Sequence, residues 1–155
     1  LGIIYASKSN ALAVDYYKNA IKIDSMRIEP YYNLGLFYQD NNMENDAIAI
    51  YKLLMDFAPE FENAPFNIGF ILLQVLKIPD QAIPYFNKAI EANPNYVEAY
   101  FNRGLCYESL GNVEFARHDY NKALQLKTNY EKAIDGLNRL DKGDIYIQQD
   151  IENQE

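Results

Sequence analysis

The chain has 155 residues, enough for one domain with a substantial core, and 49% apolar against 23% charged residues is a globular rather than a disordered balance. Fourteen lysines and arginines face twenty-two aspartates and glutamates, a net charge of -8, and such a surface repels nucleic-acid phosphates and acidic membranes alike. One cysteine, Cys106, and one histidine, His118, exclude an internal disulfide and a thiolate or imidazole metal cluster, and no apolar run is long enough to insert in a bilayer.

Taken in chain order, the sequence repeats itself at intervals of 33 to 35 residues. The first unit, residues 1–27, carries Gly2, Ala13, Tyr17, Ala20 and Ser25. It opens at Leu1-Gly2, which aligns with Leu34-Gly35, so the start of its first helix is expected to be missing. The second, 28–61, has Gly35, Ala47, Tyr51, Leu54 and Pro59 in the same columns. In the third, 62–96, they are Gly69, Ala82, Phe86, Ala89 and Pro94, and in the fourth, 97–130, Gly104, Ala116, Tyr120, Ala123 and Thr128.

Each unit reads as two helices. Ala116, Tyr120, Ala123 and Leu124 fall on one helical face, as do Tyr31, Leu34, Gly35 and Tyr38. Small residues in the glycine and alanine columns let paired helices approach closely, and the proline column ends the second helix. Unit three holds one residue more between glycine and alanine than units two and four. The breaker Lys77-Ile78-Pro79-Asp80 places that extra residue in the turn. Pro84 lies inside a predicted helix and should kink it or shift its start. Beyond Tyr130, residues 131–140 predict a capping helix whose Ala133, Ile134, Leu137 and Leu140 cover the fourth unit, with Lys132, Asp135 and Arg139 left wet. Residues 141–155 read as an acidic tail, frayed or forming a short extra helix.

Tyr-Tyr-Asn-Leu-Gly-Leu-Phe-Tyr at 31–38, Tyr-Phe-Asn-Arg-Gly-Leu-Cys-Tyr at 100–107, and the column Ala82, Phe86, Ala89, Pro94 resemble the tetratricopeptide repeat family over roughly residues 1–140. The departures are Pro65 at the large-aromatic position, Leu54 for a small residue, Arg103 for an aliphatic one and Thr128 for proline. The resemblance implies an all-α, right-handed superhelical solenoid of about four antiparallel helix pairs plus a C-terminal capping helix. First helices then line a concave surface, with second helices outside.

On that surface Asn33, Asn67 and Asn102, each two residues before the signature glycine, should form a ladder able to grip a peptide backbone with both donor and acceptor. Tyr32, Phe66 and Phe101 precede them; Leu36, Phe70 and Leu105 follow, then Gln39, Gln74 and Glu108, with Glu29, Asp40 and Glu98 on the rim. A row of exposed rings in one concavity points to binding. The expected function is non-catalytic binding of a protein or peptide, apolar or aromatic with basic flanks, without nucleic acid or cofactor. His118 beside Asp119 makes no dyad. Lysines and arginines are missing from this face, which argues against a clamp for acidic C-terminal tails. The alternatives are a structural array that self-associates through open repeat ends, and a docking arm of a larger enzyme or regulatory protein.

Overall fold

The computed structural model describes residues 11–152; the register at Leu1 and Gly2 lies outside them. The helices are α1 (Ala11–Ile23), α2 (Ile28–Asp40), α3 (Glu44–Phe57), α4 (Asn63–Phe70), α5 (Pro79–Ala92), α6 (Val97–Ser109), α7 (Val113–Leu126) and α8 (Glu131–Glu152), with a π-helical turn, Ile71–Val75, continuing α4. Each packs against the next along the chain, giving an all-α stack. Even helices are the first members of their pairs and odd helices the second.

The pairs are held by one contact type. A Cβ at Gly35 would clash with the Tyr51 ring; at Gly69 it would come within 2.9 Å of Phe86, and at Gly104 within 2.7 Å of Tyr120. The glycine column therefore lets a second-helix ring lie directly on the first-helix backbone. Ala13, Ala47, Ala82 and Ala116 are fully buried, as are Tyr51, Phe86 and Tyr120. One cluster of buried side chains runs from Ala13 to Phe86 and takes in Cys106; a second joins Tyr100 to Leu140.

Every first helix ends on a left-handed residue: Asn42 (φ 56°), Lys77 (φ 58°) and Gly111 (φ 73°). The second helix begins two residues later in each case, at Glu44, Pro79 and Val113. These three turns have equal lengths, which corrects the expectation that Lys77-Ile78-Pro79-Asp80 holds the extra residue of unit three. That residue sits in the first helix instead, where the amide of Leu76 donates to the carbonyl of Ile71 at 3.0 Å, five residues back. A π turn widens the helix by one residue without ending it. The same turn lengths show that Pro84 does not shift the start of α5. It stands exposed in the second turn, and only the carbonyl of Asp80 loses a helical donor.

The cap also differs from expectation. α8 continues through Glu152 as one helix, instead of ending at residue 140 before a frayed tail or a separate short helix. Ala133 and Leu140 are buried against the fourth pair and Leu137 half-buried, but Ile134 is 40% exposed and does not cover it. The backbone of Gly136 takes the far side of Tyr120, where a Cβ would come within 2.6 Å of the ring.

Candidate peptide-binding face

The residues expected on the first-helix face are only partly free. Tyr32, Phe66 and Phe101 are half-buried, and each meets the ring that closes its own unit, just before the next unit's first helix. Tyr32 packs edge-on against Phe61 with centroids 5.2 Å apart, Phe66 lies 4.8 Å from Tyr96, and Phe101 meets Tyr130 at 5.6 Å. The row of rings is therefore also the mortar between repeats. Phe61, Tyr96 and Tyr130 recur at intervals of 35 and 34, a column that sequence reading could have found and did not. Tyr96 adds a polar tie, its hydroxyl donating to Asn63 Oδ1 at 2.8 Å.

The asparagines divide three ways. Asn102 is buried and its Nδ2 donates to the carbonyl of Glu98 at 2.7 Å, bracing its own helix. Asn33 is half-buried and lines a small cavity of about 90 Å³ with Tyr16 and Tyr17 of α1. Asn67 is 9% exposed, and its Nδ2 is buried without a well-formed hydrogen bond. The Tyr51 phenol donates to Gln39 Oε1 at 3.1 Å; burial pushes it up and the neighbouring Asn67 amide, facing its oxygen, offsets part of that rise.

That tyrosine sets the next column. Tyr120 donates to Glu108 as Tyr51 does to Gln39, whereas Phe86 has no hydroxyl to offer Gln74, which the π turn carries half-buried into the same position. Phe70 stacks on Phe66 at 6.3 Å, and Leu36 and Leu105 are half-buried. Glu108 is held most firmly. Arg139, exposed as expected, reaches across from α8 and grips both its oxygens at 2.8 Å. The guanidinium, then the Tyr120 hydroxyl, keep the Glu108 carboxyl below its ordinary range despite burial.

Glu29, Asp40 and Glu98 are exposed. Helices α2, α4 and α6 carry one basic residue, Arg103, and it turns away. Its Nε and Nη2 bond both oxygens of Asp119 at 2.7 Å, and its Nη1 bonds Asn87 Oδ1 at 2.7 Å. Asp119 is 1% exposed, a charged position that one-dimensional periodicity could not reveal. His118 is exposed as expected, although its Nδ1 stands 3.4 Å from Asp119 Oδ1. Cys106 is buried, which pushes its thiol up to about 12. No helix among the described residues is long and apolar enough to cross a membrane.

Known proteins are similar to this chain in sequence and in fold. The chain is 34% identical over 79 residues to a UDP-N-acetylglucosamine–peptide N-acetylglucosaminyltransferase of Giardia intestinalis, a match covering 49% of this chain and 5% of that one. It spans 56% of an uncharacterised protein of Methanocaldococcus jannaschii and 64% of the ycf37 protein of Guillardia theta. Among solved structures it is similar to MamA (TM-score 0.77, 27% identity, 85% of this chain and 77% of that one). It is similar also to the first repeat domain of Spaghetti (RPAP3) bound to the HSP90 peptide SRMEEVD (TM-score 0.72, 28% identity, 77% and 94%). The tetratricopeptide repeat profile matches residues 28–61, 66–96 and 97–130. The chain thus belongs to the tetratricopeptide repeat family and is similar to members that bind peptides.

Proposed function

We propose that this domain holds an extended segment of another protein against the α2, α4 and α6 face, without catalysing a reaction on it. The observation that carries the reading is the buried, unpaired Nδ2 of Asn67 beside the half-buried rings of Phe66 and Phe70. A buried polar group without a partner costs about 1–3 kcal/mol. A peptide carbonyl that reached it would return that free energy to binding, while the rings and Leu36 receive apolar side chains.

The partner segment is apolar or aromatic with basic flanks. An acidic tail of the kind held by the Spaghetti domain would meet Glu29, Asp40 and Glu98 here, with Arg103 already committed to Asp119. Opposite charge steers encounter and fixes orientation. The test is a comparative capture from source-cell lysate, using the native domain and an Asn33→Ala, Asn67→Ala, Asn102→Ala variant of matched helicity as baits. Loss of specific partners with the variant supports the asparagine-centred grip. Recovery of the same proteins by both baits contradicts it.

A further inference from the structure

The second-helix face carries a feature that the peptide-holding proposal does not use. Between α3 and α5 lies a cavity of about 650 Å³, with Pro65 at its base and Met55, Pro59, Tyr85 and Ala92 among its walls. Its origin is legible in two columns. Four residues before each signature glycine stand Tyr31, Pro65 and Tyr100; six residues after each central ring stand Phe57, Ala92 and Leu126. In unit two this pair is Tyr31 on Phe57, rings 4.9 Å apart. Unit four keeps bulk at both positions, with Tyr100 buried and Leu126 packed in the same cluster. Unit three shrinks both at once, to Pro65 and Ala92, and both line the cavity.

The mouth is charged in an ordered way. Lys52 and Asp56 stand one turn apart on α3, and Lys88 and Glu91 on α5. Both helices follow equivalent turns and run in the same direction, so the lysines flank one end of the opening and the carboxylates the other. All four side chains are exposed.

We propose that this cavity receives one aromatic side chain from a partner protein, which takes the place of the missing Tyr31–Phe57-type pair, with an acidic residue of the partner beside Lys52 and Lys88 and a basic one beside Asp56 and Glu91. An aromatic ring fits because the fold itself seats rings at the equivalent position one unit earlier. The Pro65 base and the Tyr85 wall offer it apolar contact, and a volume of several hundred Å³ has room for a ring and lies in the range of small-ligand sites. The site is separate from the asparagine face and stands or falls independently of it.

The test uses N-acetyl-L-tryptophanamide as the probe and N-acetyl-L-leucinamide as control, titrated into the 155-residue chain while the methyl resonances of Met55 and Ala92 are followed. Saturable shifts with the tryptophan probe, at least tenfold weaker with the leucine one, are expected. Ala92→Phe restores bulk at a half-buried helix end and should weaken the probe at least tenfold. Pro65→Tyr, which rebuilds the other half of the pair, should do the same, and the Asn33, Asn67, Asn102 triple alanine variant should bind the probe as the native chain does. Equal shifts with both probes, or undiminished binding by Ala92→Phe, would overturn the proposal. So would a native dimer in analytical ultracentrifugation that Ala92→Phe dissolves, because the occupant would then be a second copy of this chain.

Discussion

Units three and four share the same columns, yet their polar and aromatic ties differ. In unit four, Tyr120 reaches Glu108, Arg139 clamps that carboxylate, Asn102 is braced on its own helix, and Arg103 joins Asp119 and Asn87 across the second helices. In unit three, Phe86 replaces the tyrosine, Gln74 loses that donor, Asn67 keeps an unpaired Nδ2, and Pro65 and Ala92 stand where rings pack in unit two. The pair still closes, because closure depends on Gly69 lying under Phe86 and on buried Ala82 and Ala89. Fold and ligand chemistry therefore rest on different positions of the repeat. The glycine and alanine columns build the stack, while the positions around them decide which groups remain available. Unit three leaves an unpaired donor on one side and an unfilled cavity on the other.

Breaking the tightest tie of unit four gives the largest effect. Arg103→Leu restores the usual aliphatic residue but leaves Asp119 buried without its cation, and should cost about 3–5 kcal/mol in urea denaturation. Adding Asp119→Leu should recover most of that loss, since no buried charge is then left unpaired and only the half-buried Asn87 loses a donor.

A second comparison uses the glycines. Gly104→Ala drives a methyl into Tyr120, which Gly136 traps from the other side, and should cost about 1–3 kcal/mol. Gly69→Ala meets Phe86 less closely, so the helix propensity that both variants gain, about 1 kcal/mol, offsets more of the strain there. Thermal melts of the two variants measure how much looser unit three is.

The Arg139 clamp is smaller and depends on pH. Its surface-facing ion pair contributes about 0.5–1 kcal/mol. The Glu108 carboxyl is depressed in the folded state, chiefly by Arg139, so its contribution is complete above the unfolded value of about 4.3 and disappears as pH falls through the lower folded value. The stability difference between native and Arg139→Gln should be constant from neutral pH to about 5 and shrink below about 4, read by denaturation at each pH. An effect of similar size and opposite sign belongs to Lys77, a non-glycine residue at φ 58°. Lys77→Gly should gain about 0.5–1 kcal/mol, because glycine adopts that backbone without strain.

The repeat was legible because each column does the same physical job in every unit: Gly35, Gly69 and Gly104 admit a ring, and Ala47, Ala82 and Ala116 admit a backbone. The π turn was not. Ile71, Leu72 and Leu73 are all apolar and all buried, so a one-residue shift within them leaves no mark on the hydrophobic pattern, and Pro79 drew the extra residue to the turn instead. The Arg103–Asp119 pair joins residues sixteen apart on different helices, a relation that helical periodicity does not encode. In sequence Tyr32, Phe66 and Phe101 look like an exposed row, because the rings that cover them, Phe61, Tyr96 and Tyr130, fall between helices and belong to no helical period. The asparagine ladder was legible as a column, but its division among bracing, half-burial and an unpaired donor depends on three-dimensional neighbours.

The most direct measurement replaces the unpaired donor itself. Asn67→Leu removes a buried amide that lacks a partner, so the melting temperature of the isolated domain should hold or rise. Capture of the partner segment should fall at least tenfold, since a carbonyl that would have met Nδ2 meets a methyl group. Stability kept and binding lost is the result expected of a ligand-reading residue. A variant that loses stability and still binds would contradict the account, and would make Asn67 a structural brace like Asn102.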